Sequence, residues 1–381
     1  MSIDFSVILM YLWGIFVILF TFGFMIFVHE LGHFLMAKRV GITVHEFALG
    51  FGPRLFRYKR EGDITEYCLR IVPFGGFVRM EGEDEPGDSN DPGNFNSKSV
   101  GARAKVIVAG CVMNYVTGIT LLLLIGFTVG LGQGIIPARV ATLKDGYPLQ
   151  MAGVKVGDEI LKVDGVKIGD FEDLQKIIQA KKDGDEANLE IKRGNEAPFA
   201  VTVKVKYDNE TKSPLLGFSP PMGKLAGFKF TKAESPMQVL EFTATKTLML
   251  TFSPVFVIHS IVSEKDSVKR SEKIQQVKEG SAGPVGIGHM LFEVSKMGIP
   301  SILFMCSFFS ILIGAFNLMP FPGLDGSRLV FLLIEKIRNR PVDPDKEGFV
   351  HQMGFIALIV LVLFVTWNDI MRLVHNQSFF N

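Results

Sequence analysis

The chain has 381 residues, enough for more than one domain. Lys and Arg number 40 against 39 Asp and Glu, a net charge of +1, which excludes a generally basic nucleic-acid binder and an acidic disordered tail. Three widely spread cysteines, Cys68, Cys111 and Cys306, form no CxxC pair and exclude a disulfide framework or a cysteine zinc ribbon, while a mean hydropathy of +0.30 directs attention to clustered apolar runs.

The first such run, residues 7–28, carries no charge and is long enough to cross about 30 Å of hydrocarbon as a helix. No Lys or Arg precedes it and no small-residue cleavage site follows, so it reads as a retained helix and not a removable signal peptide. The second run, 106–136, has only Asn114 and Gln133 as strongly polar groups; the third is 299–319 and the fourth 355–367. Four membrane-spanning helices are therefore expected. Residues 239–262 are also apolar but contain Glu241, Lys246 and Pro254. A charge at mid-bilayer costs about 2.5–3.5 kcal/mol, which predicts an amphipathic helix lying in the interface. Lys38, Arg39, Arg54 and Arg57 follow the first run, Lys98, Arg103 and Lys105 precede the second, and Arg328, Lys336, Arg338 and Arg340 follow the third. The excess of basic residues places the 38–105 and 328–350 loops in the cytoplasm, with both termini and the 137–298 segment outside.

Between the spans, the 139–205 segment reads as a soluble α+β domain. Strand-like stretches lie at 138–142, 159–163, 188–191 and 200–206, and a helix pattern at 171–180 sets Phe171, Leu174, Ile177 and Ile178 on one face. Its run Met151-Ala152-Gly153-Val154-Lys155-Val156-Gly157-Asp158-Glu159-Ile160 resembles the signature of bacterial PDZ domains, which bind extended peptides by strand addition. One copy is present. In the preceding loop, 64–80 alternates apolar and polar residues through Pro73-Phe74-Gly75-Gly76-Phe77, the pattern of a hairpin with an apolar face at the membrane. The acidic, Gly- and Pro-rich stretch 81–94 reads as a mobile loop.

The chemistry is concentrated at the inner ends of two runs. His29-Glu30-Leu31-Gly32-His33 closes the first. Positions i and i+4 share a helix face, so both imidazoles can bind one metal ion, with Glu30 beside them as a general base. Ionisable residues at membrane depth are costly and point to function. A hydrolytic zinc takes three protein ligands and keeps one position open. The third ligand comes from far along the chain: Asn317-Leu318-Met319-Pro320-Phe321-Pro322-Gly323-Leu324-Asp325-Gly326 follows the third run, where two prolines break the helix and Asp325 can turn toward the metal. The first and third runs both enter the cytoplasmic side at their C-terminal ends, so the two motifs share a depth.

HExxH closing the first helix, Asn317-x-x-Pro320-x-x-x-Leu324-Asp325-Gly326 closing the third, and a PDZ-like domain between the second and third resemble the site-2 protease family of intramembrane zinc metalloproteases, with the bacterial regulator-of-sigma-E protease type as the closest subgroup. The resemblance runs on through Phe51-Gly52-Pro53, Phe74-Gly75-Gly76-Phe77 and Gly283-Pro284-Val285-Gly286-Ile287. It implies that His29, His33 and Asp325 bind Zn2+ and that Glu30 is the general base. It also implies that Gly75 and Gly76 belong to a membrane-associated β-structure that pairs with unwinding substrate. The family's G-P-x-x-N motif in the second helix reads here Gly110-Cys111-Val112-Met113-Asn114, so Asn114 matches while Cys111 replaces the proline. Asn114 and Asn317 are expected to bind substrate or serve as interhelical polar contacts.

The fold expected is a multi-pass α-helical membrane protein with a membrane-associated β-hairpin or sheet and one extracytoplasmic α+β PDZ domain. Its parts are a first helix (1–37), a cytoplasmic loop (38–105), a second helix (106–136), the PDZ domain (137–210), a linker with the interfacial helix (211–298), a third helix with the LDG motif (299–326), a second cytoplasmic loop (327–353) and a fourth helix (354–374). The resemblance implies cleavage, within the inner membrane, of single-pass proteins already cut once, such as anti-sigma factors or signal-peptide remnants. The active site would face the cytoplasm and the PDZ domain, outside, would bind peptide C-termini or exclude bulky ectodomains. The expected partners are such substrates and the lipid bilayer, with no nucleic acid. The rival reading is a PDZ membrane scaffold whose metal site is structural.

Overall fold

The computed structural model describes residues 5–83, 91–194, 196–208, 213–220, 227–264, 283–340 and 342–374, with scattered positions between 266 and 277. Contacts divide the chain into two compact units, one centred on 132–230 and the other built from the segments on either side.

In the flanking unit, α1 (Phe5–Arg39) is followed by two long strands, β1 (Val44–Lys59) and β2 (Glu66–Met80), and then by α2 (Val100–Thr128). The β-structure is more than a hairpin within 64–80: β2 pairs with β1, which precedes that segment in the chain. Residues 46–49 each have two partners, one among 76–79 and one among 66–69, while 54–59 pair with 66–70. The ribbon thus folds back on itself into four segments, with 76–80 along one edge. Gly50 and Gly52, at φ +85° and +82°, make the bend in β1 that permits this. Phe47, Val78 and Met80 of the sheet join Ala37 of α1, Val106 and Ile107 of α2 and the later Leu332 in one apolar core. Of the acidic stretch, 84–90 lies outside the described residues; Glu83 pairs with Arg328, and Asn94 caps a 3-10 turn at Phe95–Ser97.

The second unit opens with β3 (Leu131–Ile135) and β4 (Thr142–Leu143), followed by α3 (Pro148–Met151), β5 (Glu159–Val163), β6 (Val166–Lys167), α4 (Phe171–Gln179), β7 (Glu186–Lys192) and β8 (Phe199–Lys204). Strands β6-β5-β7-β8 form an antiparallel sheet, and β9 (Lys206–Asp208), β10 (Ser213–Leu215), β11 (Phe218–Ser219) and β12 (Gly227–Thr231) complete the unit. The expected strand at 138–142 is interrupted because the segment changes partner. Val140 and Ala138 bond to the 157–160 backbone, whereas Ala141 and Lys144 bond to Ser219 and Gly217. The boundary expected at 210 falls too early, since Leu216 is buried in the core and Phe218 packs edge-on against Phe171.

The chain then returns to the flanking unit with α5 (Pro236–Val262), α6 (Pro284–Ser295), α7 (Ile299–Asn317), α8 (Asp325–Arg338) and α9 (Pro344–Val374). Among the described residues, five helices are long and apolar enough to cross a membrane, and one of them is α5, continuous over 27 residues. Pro254 lies inside it without breaking it. The proline lacks the N–H that would reach the Leu250 carbonyl, and the Ser253 hydroxyl donates to that carbonyl instead, at 2.9 Å. Leu250 packs with Leu122 of α2 and Ile311 of α7, so the helix lies against the bundle.

Asp158 is the clearest polar anchor of the second unit. It is buried and accepts two hydrogen bonds from the Arg193 guanidinium, at 2.7 and 2.8 Å, and one from the Lys155 N–H, at 2.8 Å. The Arg193 contact, first, and the Lys155 N–H hold its carboxyl below the usual carboxylate range. A depressed folded-state pKa stabilises the fold above the unfolded value of about 4, and this stabilisation is lost as the pH falls below it. Asp158→Asn is expected to destabilise the unit by about 1–3 kcal/mol at neutral pH. Amide hydrogen exchange of 138–205 in the full chain, at pH 7 and again below pH 4, checks this, and the difference from wild type is expected to shrink at the lower pH.

Candidate metal centre

The site is assembled where α1, α2 and the start of α8 converge. On α1, His29 and His33 are one turn apart and both are buried. Gly32 lies between them in sequence and makes the close helix contact: a Cβ there would stand 2.3 Å from the Ala109 carbonyl oxygen and 2.9 Å from the Gly110 Cα. Gly110, on the facing side of α2, gives the imidazoles their space, since a Cβ on it would fall 2.4 Å from His33 Nε2 and 2.9 Å from His29 Cε1. The HExxH spacing announces the histidines, but not the part that either glycine plays. The signal available was a small residue in each of two apolar helices.

Asp325 arrives by a sharp turn. Pro320 and Pro322 follow the end of α7, Gly323 takes φ +94°, and Leu324 is extended at the N-cap of α8. The turn is so tight that a Cβ on Gly326 would lie 2.2 Å from the Met319 carbonyl oxygen. Arg103 near the start of α2 pairs with Glu335, which holds α8 in place together with Leu332.

The result is a cluster of three ligand atoms from residues distant in the chain. Asp325 Oδ2 lies 3.1 Å from His29 Nε2 and 3.3 Å from His33 Nε2, and the two nitrogens are 3.2 Å apart. Zinc bonds of about 2.0–2.1 Å at tetrahedral angles separate their ligand atoms by about 3.3 Å, so the donor set fits one zinc ion. His33 Nδ1 donates to the Val106 carbonyl at 2.9 Å, leaving the Nε2 lone pair for a metal. The thiol of Cys111, the residue in place of the family's proline, faces Asp325 Oδ2 at 4.0 Å.

A cavity of about 240 Å³ opens beside the cluster. Glu30 lines it with His29, His33 and Asp325, and Gly76, Phe77, Val78 and Met80 of the sheet edge form another wall. Gly76 passes close over α1: a Cβ there would be 3.1 Å from Glu30 Cγ. Arg328 and His351 lie toward the other side. Of the remaining expected residues, Gly75 adjoins this strand at φ +100° with the Phe51 ring in the space a side chain would need. Asn317 closes α7 and is not among the residues lining the cavity. Asn114 is fully buried behind His29, with its Nδ2 placed 3.2 Å from His29 Nδ1, and does not line the cavity either.

Residues 17–361 match the family described as peptidase family M50. A putative zinc metalloprotease of Clostridium perfringens is 36% identical over 92% of this chain and 97% of its own length. The regulator of sigma-W protease RasP of Bacillus subtilis is 29% identical over 92% of this chain and 97% of its own length. Among solved structures, the PDZ domain of an SdrC-like protein from Listeria monocytogenes is 20% identical, covering 23% of this chain and 90% of that one, with a TM-score of 0.21.

The approach of α2 to the imidazoles yields a direct test. Gly110→Ala is expected to weaken zinc binding about tenfold or more, because forcing one methyl into a packed site costs about 1–3 kcal/mol. Chelator competition on the purified protein measures it.

Proposed function

The chain belongs to peptidase family M50 and is a zinc metalloprotease, and on that premise we propose which residues act and on what. The observation that carries the reading is the meeting of His29, His33 and Asp325 within hydrogen-bonding distance beside Glu30, at the end of an apolar helix. His29, His33 and Asp325 hold the zinc, which when bound supplies a Lewis acid and lowers the pKa of water. Glu30 accepts a proton from the attacking water and delivers it to the leaving amine. A structural metal site needs no such base, so the scaffold reading leaves Glu30 in the cavity unexplained.

The substrate is a membrane-spanning segment. A helix in the bilayer has its backbone groups satisfied internally, so a peptide bond there must be unwound before attack. The 76–80 edge of the sheet, with Gly76 over Glu30, offers backbone partners to such an extended segment. The relative in Bacillus subtilis is named a regulator of sigma-W protease. That supports a single-pass regulatory protein, such as an anti-sigma factor shortened by an earlier cut, as the substrate class, with signal-peptide remnants as a second source of the same chemistry.

Depth supports the topology we propose. The convergence of His29 and His33 with Asp325 sets the C-terminal ends of α1 and α7 at one level. If α1 runs inward and α2 outward, the chain must be outside again where α7 begins. A complete crossing by α5 would then need a second crossing before α7, and among the described residues between them the longest helix, α6, has 12 residues, about 18 Å against about 30 Å of hydrocarbon. Hence α5 enters the membrane without a full passage, and α1, α2, α7 and α9 are the four spans. The 132–230 domain, read as PDZ-like from its sequence signature, lies outside the inner membrane, where it screens ectodomains or holds peptide C-termini.

Two experiments test this. Glu30→Gln is expected to retain zinc while losing cleavage of a single-pass substrate without an ectodomain by about 10²–10⁴-fold; cleavage equal to wild type contradicts the assignment. Single cysteines at the exposed Met151 and Ile337 are expected to react with an impermeant maleimide from outside and only after permeabilisation, respectively. The native cysteines are all buried, so background labelling is low.

A further inference from the structure

The contact between Asn114 and His29 has the wrong partners for a zinc ligand as its atoms are placed. Asn114 Nδ2, a donor, lies 3.2 Å from His29 Nδ1. His29 Nε2 points at His33 Nε2 and Asp325 Oδ2. If Nε2 offers its lone pair to a metal, Nδ1 carries the ring's proton and is itself a donor. Two donors then face each other. At the same time Asn114 Oδ1 is buried and has no hydrogen-bond partner among the described residues. Turning the amide by half a rotation resolves both faults, because Oδ1 then accepts from His29 Nδ1–H. Amide oxygen and nitrogen are nearly the same shape, and their placement follows from the hydrogen-bond network.

We propose that Asn114 is a positioning residue for the metal centre: its side-chain oxygen accepts the Nδ1–H of His29 and fixes the tautomer that presents Nε2 to zinc. Val106 does the same for His33 through its backbone carbonyl, at 2.9 Å. Each imidazole thereby receives one acceptor from α2, a carbonyl for His33 and a side-chain amide for His29. Asn114 has full burial and no place in the cavity wall, so it does not reach substrate or a developing oxyanion. Its own backbone carbonyl accepts from the Ser310 hydroxyl of α7, at 2.9 Å, which fixes α2 at this level. This inference rests on the reading of His29 as a zinc ligand.

The two roles separate cleanly by substitution. Asn114→Asp keeps an acceptor and removes the donor; Asn114→Leu has similar size and removes both. Zinc affinity of the purified full chain is measured by chelator competition, alongside the ligand-field spectrum of the cobalt form. Unfolding of the metal-free proteins is compared to control for packing. The proposal predicts that Asn114→Leu weakens zinc binding about 10–100-fold and alters the cobalt spectrum, and that Asn114→Asp restores both toward wild type with cleavage recovering in parallel. Unchanged zinc affinity in Asn114→Leu overturns it, as does Asn114→Asp that binds metal normally but fails to cleave, since that outcome makes Asn114 a donor to substrate. A wild-type chain that shows the predicted zinc series yet cleaves no membrane substrate would instead refute the proposed function and leave this inference standing.

Discussion

Gly32 on α1 and Gly110 on α2 meet with no side chain between the two backbones, and the rest of the centre depends on that approach. It brings the Val106 carbonyl and the Asn114 side chain within reach of the two imidazoles. It also leaves Nε2 of each ring facing the same point, where Asp325 completes the cluster. Van der Waals packing of small residues holds membrane helices together because lipid tails remove the hydrophobic drive between them. Here the same small residues do a second thing, which is to make room for a ligand set.

Several polar groups within this apolar unit meet a partner inside the bundle, where the bilayer core offers no water. Ser310 donates to the Asn114 carbonyl, Thr21 contacts the Cys306 thiol at 3.5 Å, and the Trp13 indole N–H reaches the Ser295 carbonyl at 3.1 Å. Asp369, fully buried in α9, accepts the Gly286 N–H at 2.8 Å and so caps α6 from a distant helix. That bond gives a physical role to the Gly283-Pro284-Val285-Gly286-Ile287 run, which the sequence marks only as a resemblance. Around the rim, where water returns, the partners are ion pairs such as Arg103 with Glu335 and Arg328 with Glu83.

The cluster of His29, His33 and Asp325 was legible because helical periodicity alone puts His29 and His33 on one face, and because two prolines before Asp325 mark a helix end. What the sequence hid depends on contacts between segments far apart. The pairing of β1 with β2 was missed because Gly50, Gly52 and Pro53 interrupt the alternation of β1, although those residues bend the strand so that it can pair twice. The second unit extends past 210 because the buried Leu216 follows two short strands with no strong periodicity. Glu241, Lys246 and Pro254 led to an interfacial reading of the 239–262 helix; in the structure the ammonium of Lys246 sits 5.4 Å from the Phe242 ring and a serine hydroxyl takes over the carbonyl that the proline leaves free. Asn114 shows the same limit at the site: a polar residue in an apolar run signals importance, but only its neighbours tell whether it faces substrate or ligand.

The central claim is that one zinc ion is held by His29, His33 and Asp325 with a position left open. X-ray absorption at the zinc edge of the purified full chain tests it most directly. The account predicts two imidazole nitrogens at about 2.0–2.1 Å, with oxygen ligands at about 2.0–2.2 Å completing the shell and no sulfur. A sulfur neighbour at about 2.3 Å would place Cys111 in the coordination sphere, close the open position, and contradict the account.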